Sequence, residues 1–244
     1  MTSAPHPPGP SHLVPLHQRQ RPGTPQELAG IPWLGLLAPA DRALATSELC
    51  VGEALPGDYV CRAGRPITLW FGVVSGLLKM SSDDAHGVTM TFTGVPPGGW
   101  FGEGTALKRE HYRYHIQAIR KSVVAGLPVD TFHWLLDHSI AFNRFIMNQL
   151  NERLAQFIAA REIDRMNNPD LQVARTLAAL FNARLYPGVG EVLAITQQEL
   201  GYLVGLSRQR VNLALQTLQA RGCIRVEYAG LRVLHLQELR FGAF

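Results

Sequence analysis

The sequence contains few cysteines. Cys50, Cys61 and Cys223 are the only three among 244 residues, and no two of them form a C-x-x-C pair. An odd number of widely spaced cysteines argues against a disulfide framework and against a thiolate-rich zinc or iron–sulfur site. We therefore expect reduced thiols, a cytoplasmic location and no metal centre.

Long apolar runs are also missing. None approaches the roughly 20 residues that a membrane-spanning helix needs, and the N-terminus lacks the basic-then-apolar pattern of an export signal. Neither a membrane partner nor export is expected. The start of the chain is instead rich in Pro, His and Ser, and this composition predicts a flexible tail over residues 1–30.

Motifs for catalysis are absent as well. The segment GGWFGEG at 98–104 lacks the lysine of a nucleotide-hydrolysing P-loop. No H-x-H run with a following Glu offers the metal ligands of a cupin enzyme. Two histidine pairs, His111 with His115 and His133 with His138, are interpreted as solvated side chains rather than as metal or haem ligands. We expect no enzymatic activity.

Positive charge is in excess, mainly near the C-terminus. The formal net charge is +4, and from residue 170 onward eight arginines oppose five acidic residues, a difference of +3. This distribution suits a nucleic-acid partner. The chain is also long enough, and at 46% hydrophobic residues apolar enough, for two small domains with real cores.

Two short helices are predicted within the basic segment. In ITQQELGYLVG, Thr196 is placed to cap a helix with Glu199 at the capping-box position, and Gly205 ends it. In SRQRVNLALQTL, Ser207 is placed to cap a second helix. The inner stripe of that second helix is Val211, Ala214, Leu215 and Leu218. This is the pattern of a helix-turn-helix, whose second helix can lie in the major groove of DNA.

A hairpin is predicted after the second helix, because CIRVEY and LRVLHL alternate around Ala229-Gly230. The order is helix, turn, helix, wing. The candidate DNA-binding residues lie at the starts of the two helices and on the outward face of the second: Thr196, Gln197, Gln198, Ser207, Arg208, Gln209, Arg210, Asn212 and Leu213. An amphipathic surface helix without a ligand is the plainer alternative for SRQRVNLALQTL taken alone.

Residues 195–239 resemble the winged helix-turn-helix of the Crp/Fnr family of bacterial transcription regulators. The residues that match the family pattern are Thr196, Gln198, Glu199, Gly205, Ser207, Arg208, Val211, Leu215, Leu218, Gly222 and Ile224. The resemblance implies a homodimer, double-stranded DNA with an inverted-repeat site, and RNA polymerase as partners.

The first half predicts an antiparallel β-roll of jelly-roll type, because short apolar runs are punctuated by Gly and Pro between about 50 and 130. Its PGDYVCRAG, VVSGLLKM and GGWFGEG resemble the cyclic-nucleotide-binding roll of the same regulators. That resemblance implies a phosphate cassette that Gly102 opens, with Glu103 accepting a ribose hydroxyl. The cofactor or effector itself stays unidentified.

Two departures bear on the effector. Arg113 is displaced by one residue from the family's arginine, and such a shift turns a side chain to the other face of a strand. Phe157 and Ile158 occupy places where cyclic-AMP binders carry hydroxyl residues. The candidate effector pocket of Gly102, Glu103, Arg113, Phe157 and Ile158 is therefore expected to bind cyclic AMP weakly or not at all.

A long helix without Gly or Pro is predicted to join the halves. It carries an apolar a/d seam of Met147, Leu150, Leu154 and Phe157. The seam could cover the helix's own roll or join two chains. A dimer is favoured, because a two-fold axis presents two recognition helices to half-sites about one DNA turn apart. NNPD at 167–170 predicts a hinge.

These patterns together predict an α+β chain of four parts. A tail (1–30) precedes a sensor β-roll (31–139), a dimerisation helix with its hinge (140–169) and a winged helix-turn-helix (170–244). The predicted function is a homodimeric DNA-binding transcription regulator, controlled by an effector sensed in the roll. A cyclic-nucleotide sensor acting on a protein partner is the alternative, but it leaves the winged helix without a role.

Overall fold

The computed structural model describes residues 19–84, 86–163, 165, 167–242 and 244. Most of the predicted tail lies outside the described residues. Residues 19–30 do not belong to a flexible tail, because Arg21–Pro22 pairs with a strand of the roll and a short helix follows at Pro25–Ala29. Thr24 and Glu27 form a capping box on that helix, and both carboxylate oxygens of Glu27 bind Arg21 at 2.6 and 2.8 Å. Local caps and strand pairing hold this segment.

Two antiparallel sheets form the roll, with strand orders β1-β2-β9-β4-β7 and β3-β8-β5-β6. The strands are β1 (Arg21–Pro22), β2 (Cys50–Ala54), β3 (Tyr59–Cys61), β4 (Leu69–Ser75), β5 (Leu78–Asp83), β6 (Thr89–Val95), β7 (Trp100–Phe101), β8 (His115–Ala118) and β9 (Ser122–Pro128). Side chains alternate along the strands, and the inward ones meet in a shared apolar core.

Tryptophans fill the centre of this core. The rings of Trp33, Trp70 and Trp100 lie with centroids 4.3 to 5.6 Å apart. Gly72 makes room for them, since a Cβ there would lie 2.2 Å from the Trp100 ring. Around the sheets pack α1 (Pro25–Ala29), a 3-10 turn (Leu34–Leu36), α2 (Pro39–Glu48), α3 (Glu103–Lys108) and α4 (Val129–His138).

The long helix, α5, spans Ile140–Ile163 and presents different residues on its different sides. Its buried side consists of Phe142, Ile146, Gln149 and Arg153. A second side, which we call the apolar stripe, consists of Ile140, Met147, Leu154 and Ile158, exposed at 73%, 65%, 60% and 57%. At 100° per residue the two sets point in directions about 80° or more apart. Of the predicted seam, Leu150 and Phe157 instead pack against the core of the roll.

The C-terminal half contains α6 (Pro169–Leu180), α7 (Gln197–Val204), α8 (Arg208–Ala220) and α9 (Leu236–Phe241). Its sheet has the order β10 (Val192–Leu193), β12 (Gly230–Val233), β11 (Ile224–Glu227). Asn168, from the predicted hinge, caps α6 by accepting from the backbone N–H groups of Asp170 and Leu171. None of the described helices combines the length and apolar character of a membrane span.

The two halves exchange core residues. Leu77, from the turn after β4, is 1% exposed and belongs to the apolar cluster of the C-terminal half. Leu185 and Tyr186 are fully buried in the core of the roll. Gly98 and Gly188 meet backbone to backbone, because a Cβ on Gly98 would lie 2.5 Å from the Gly188 nitrogen. The boundary predicted at 169/170 separates helices but does not separate the two cores.

Candidate nucleic-acid interface and effector cradle

Helices α7 and α8 form the helix-turn-helix, and the predicted caps are confirmed. The Thr196 hydroxyl accepts from the Glu199 N–H at 3.2 Å, and the Glu199 carboxylate accepts from the Thr196 N–H at 2.7 Å. Gly205 ends α7 in the left-handed conformation, at φ 74°. The Ser207 hydroxyl then accepts from the Arg210 N–H at 3.2 Å and starts α8. These caps fix where each helix begins and ends.

The two faces of α8 divide as its sequence predicts. Val211, Ala214, Leu215 and Leu218 are buried. Six of the candidate DNA-binding residues are exposed on the outside: Thr196, Gln198, Ser207, Arg208, Gln209 and Leu213. Leu213 is an apolar side chain that is 50% exposed in the middle of this polar face.

The other three candidates form contacts within the domain. The Arg210 guanidinium donates to the Asp170 carboxylate at 2.6 Å and so ties α8 to α6. The Gln197 amide donates to the Asn212 side-chain oxygen at 2.9 Å and so ties α7 to α8. Sequence spacing alone could not separate these three from the outward set, because their partners lie up to 40 residues away.

The wing is the hairpin of β11 and β12, as predicted. Gly230 allows β12 to lie against β10, because a Cβ there would be 2.1 Å from the Leu193 carbonyl oxygen. Tyr228 stands at the tip with its side chain in solvent, and Arg225 is exposed on β11. Neither was among the candidates predicted from the sequence, because those were taken only from the two helices and their caps.

The cassette residues Gly102 and Glu103, with the Trp100 carbonyl, form a cradle at the start of α3. Glu103 is 4% exposed, and its carboxylate lies 3.4 Å from the Arg153 guanidinium of α5. Arg153 also donates to the Trp100 carbonyl at 2.6 Å and to the Tyr186 hydroxyl at 3.2 Å. The carboxylate that the resemblance assigns to a ribose hydroxyl therefore holds an arginine of the same chain.

The charge of Arg153 is maintained in spite of burial. Burial by itself lowers the pKa of a guanidinium, but the facing Glu103 carboxylate raises the pKa of Arg153 above its ordinary value. Gln156 extends the network, because its amide donates to Tyr186 at 3.1 Å and to the Thr93 hydroxyl at 3.3 Å. The roll, the long helix and the C-terminal half thus meet in one polar cluster.

The remaining pocket candidates do not face the cradle, which corrects their assignment. Arg113 is 77% exposed and pairs with Glu110 at 3.2 Å. Tyr112 and Tyr114, and not Arg113, lie beside Gly102. Their side-chain atoms are 3.3 and 3.7 Å from the position that a Gly102 Cβ would occupy. The displaced arginine is directed to solvent, and the two tyrosines beside it in sequence line the cassette instead.

The described environments of Phe157 and Ile158 are an aromatic contact and solvent. The Phe157 ring packs edge-on against Phe92, with centroids 6.4 Å apart. Ile158 belongs to the apolar stripe and is 57% exposed. One step of 100° along a helix separates the directions of these two side chains. Of the five candidates, the cradle therefore contains only Gly102 and Glu103.

A latch of one ion pair connects the roll to the helix-turn-helix. Two nitrogens on one edge of the Arg120 guanidinium donate to Glu199, with the Nε bond at 2.7 Å. Burial raises the pKa of Glu199, but the bonds from Arg120 and Thr196 outweigh it and hold that pKa below its ordinary value. Beside the latch, a Cβ on Gly94 would lie 2.8 Å from the Leu203 side chain of α7. The helix-turn-helix is thus docked directly on the roll.

The fold and the two sites define a class of protein: a sensor-type roll joined by a long helix to a winged DNA-binding domain. Sequence comparison agrees in both halves. Residues 52–139 match the family profile of the cyclic nucleotide-binding domain, and residues 171–241 match that of the Crp-like helix-turn-helix domain. The chain belongs to the Crp/Fnr family and is a DNA-binding transcription regulator.

Individual relatives show the extent of the similarity. The transcriptional regulator SdrP of Thermus thermophilus is 29% identical over 191 residues, which cover 75% of this chain and 89% of that protein. The cAMP-activated global transcriptional regulator CRP of Haemophilus influenzae is 26% identical, over 66% of this chain and 74% of the relative. The structure of FixK2 from Bradyrhizobium japonicum shares the fold, with a TM-score of 0.62, 17% identity, and coverage of 78% of this chain and 94% of FixK2.

We expect cyclic AMP to bind weakly or not at all, because Arg113 does not face the cradle to neutralise a phosphate and neither Phe157 nor Ile158 can hydrogen-bond the base. Titration calorimetry should show no micromolar binding. Micromolar binding that Glu103→Ala abolishes and the exposed control Glu110→Ala preserves would contradict this expectation.

Removing the latch should loosen the docked helix-turn-helix. We expect Arg120→Ala to lower the free energy of unfolding by on the order of 1 kcal/mol and to speed amide hydrogen exchange in α7. Because the Glu199 pKa is lowered from 4.5 in the folded state, the contribution is complete above that pH and lost as pH falls through the folded pKa. The neighbouring Lys121→Ala, which removes only an exposed pair with Glu53, should change neither. Equal exchange in both variants would rule out the latch.

Proposed function

We propose that this regulator acts as a homodimer that reads an inverted-repeat site in double-stranded DNA. The observation that carries the proposal is the apolar stripe of α5, which lies in the same chain as a helix-turn-helix with an exposed outward face. A two-fold axis along the stripe brings together the same residues of two copies. Two copies of α8 would then face two half-sites about 34 Å apart.

The free energy gained by burying the apolar stripe supports a dimer. Full burial of one Leu, Ile or Met side chain contributes about 1.5–3 kcal/mol, and monomeric proteins rarely expose a large contiguous apolar patch. The four stripe residues follow one another at intervals of seven, seven and four, the spacing of one side of a helix. From the predicted seam, Met147 and Leu154 lie in the stripe, whereas Leu150 and Phe157 attach the same helix to the core of the roll.

We assign base recognition to the first residues of α8. Arg208 lies exposed in its first turn, where a guanidinium can pair bidentately with the O6 and N7 atoms of guanine. Gln209 suits an adenine edge, and the exposed Leu213 suits a thymine methyl group. Ser207 and Thr196 are assigned to phosphates, which set the register. The proposed half-site contains one guanine and is otherwise rich in A·T pairs.

Regulation requires little energy. A few kcal/mol of preference for one arrangement of the DNA-binding halves shifts a two-state population from mostly inactive to mostly active. We assign the protein to the cytoplasm, with RNA polymerase as the partner through which bound dimers change transcription. No catalytic step belongs to this function.

Leu154→Glu should convert the dimer to a monomer, because it places two charges at the centre of the proposed interface. Light scattering on the folded variant measures this directly. Asn148→Glu is the matched control, since Asn148 is exposed on α5 outside the stripe. A folded Leu154→Glu protein that remains dimeric would show that the chains associate elsewhere.

Arg208→Ala should relax selection of the guanine in each half-site and lose about 1–3 kcal/mol of discrimination there. Selection from random DNA with wild type and variant tests both the inverted repeat and the base. Arg225→Ala, on the wing, should leave the selected sequence unchanged. If Arg208→Ala weakens binding uniformly and selects the same sequence, Arg208 contacts phosphate and the base assignment is wrong.

A further inference from the structure

A cleft of about 550 Å³ lies between the two halves of the chain. Its walls come from β6 and α5 on one side and from α6, α7 and α9 on the other. Pockets of roughly 300–1,000 Å³ hold small organic ligands. A molecule in this cleft would touch the roll, the long helix and the DNA-binding half at once.

The cleft uses mainly a third side of α5, which lies between the apolar stripe and the buried side. Ala155, Gln156 and Ala159 line it from that helix. Gln156 also binds Tyr186 at 3.1 Å and Thr93 at 3.3 Å, and Thr93 is itself a lining residue. A ligand in the cleft would therefore contact the polar cluster that includes Arg153 and Glu103.

The walls combine small apolar residues with unbalanced positive charge. Ala159 and Ala179 face the cleft from opposite helices, and Phe92 adds an aromatic ring. Arg175 lines the cleft while its two terminal nitrogens donate to the uncharged carbonyls of Leu239 and Gly242, at 2.7 and 3.1 Å. Burial lowers the pKa of Arg175, and the Glu162 carboxylate offsets this lowering only in part.

The charged residues of the lining leave a positive balance. Arg175 and Arg240 supply two positive charges. Glu152 is already paired with Arg184 at 3.1 Å, and among the residues that the structure describes Glu162 is the one other carboxylate in the lining. One added anionic group, close to Arg175 and Arg240, would neutralise the remaining excess.

We propose that this cleft, and not the cradle, is the effector site, and that it binds a small amphipathic molecule with an apolar body and one anionic group. The apolar body lies on the alanine surfaces of α5 and α6, and the anion lies near Arg175. Its regulatory part rests on the proposed function as a DNA-binding dimer.

The probe for this site is 8-anilinonaphthalene-1-sulfonate, an aromatic molecule with one anionic group. We expect saturating probe to slow maleimide alkylation of an Ala159→Cys variant by about tenfold or more. Alkylation of Asn148→Cys, on the same side of α5 but outside the cleft, should not change. Wild type measured in parallel corrects for Cys50, which is partly exposed. Unprotected Ala159→Cys, or equal protection of both variants, would overturn the proposal.

Blocking variants give a second readout. Ala159→Trp should weaken probe binding about tenfold or more and Arg240→Gln should weaken it severalfold, while Asn148→Trp leaves it unchanged. If the Ala159→Trp variant melts normally by circular dichroism and binds the probe with unchanged affinity, the proposed site is also wrong. Saturating probe should change the wild-type Kd for DNA, and an unchanged Kd would refute the regulatory part. Failure to bind DNA at all would refute the proposed function and leave the thiol-protection result intact.

Discussion

The arrangement of the two halves depends on one buried side chain, the Arg153 guanidinium. A guanidinium removed from water destabilises the fold by several kcal/mol unless charge and hydrogen bonds compensate it. Glu103 and the Trp100 carbonyl do so from the roll, and Tyr186 does so from the C-terminal half. The roll supplies the compensating charge and the C-terminal half adds the Tyr186 hydroxyl, so the guanidinium has all three partners only when roll, helix and C-terminal half come together.

The pair of Glu103 and Arg153 shows that the shape of the family's phosphate-binding turn and the ligand of that turn are separate properties. The cassette keeps its glycine and glutamate, and with them the local shape of a phosphate-binding turn. The Glu103 carboxylate of that turn, however, pairs with Arg153 of the same chain. A family profile over residues 52–139 therefore identifies the roll without identifying what the roll binds. The latch of Arg120 and Glu199 then fixes the orientation in which α7 and α8 are presented.

What the sequence predicted depended on local spacing. The capping box of Thr196 and Glu199, the Ser207 cap and the inner stripe of α8 each depend on residues a few positions apart, and all were found in place. Arg153 and Glu103 are 50 residues apart, and Arg120 and Glu199 are 79 apart. No periodicity marks such pairs, because each partner alone resembles an ordinary surface charge. The prediction of a tail failed at residues 19–30 partly for a related reason, since β1 forms only when β2 is beside it, and partly because the local capping box of Thr24 and Glu27 was overlooked.

The exchange of Leu77 and Tyr186 between the two cores has a consequence during protein synthesis. A ribosome that has released only the residues up to 139 has produced all the strands of the roll but not every side chain of its core, which also contains Phe142, Ile146, Leu185 and Tyr186. Arg153 emerges next, and Tyr186 only after α6 has been made. The N-terminal half must therefore wait, incompletely packed, until much of its C-terminal neighbour has emerged.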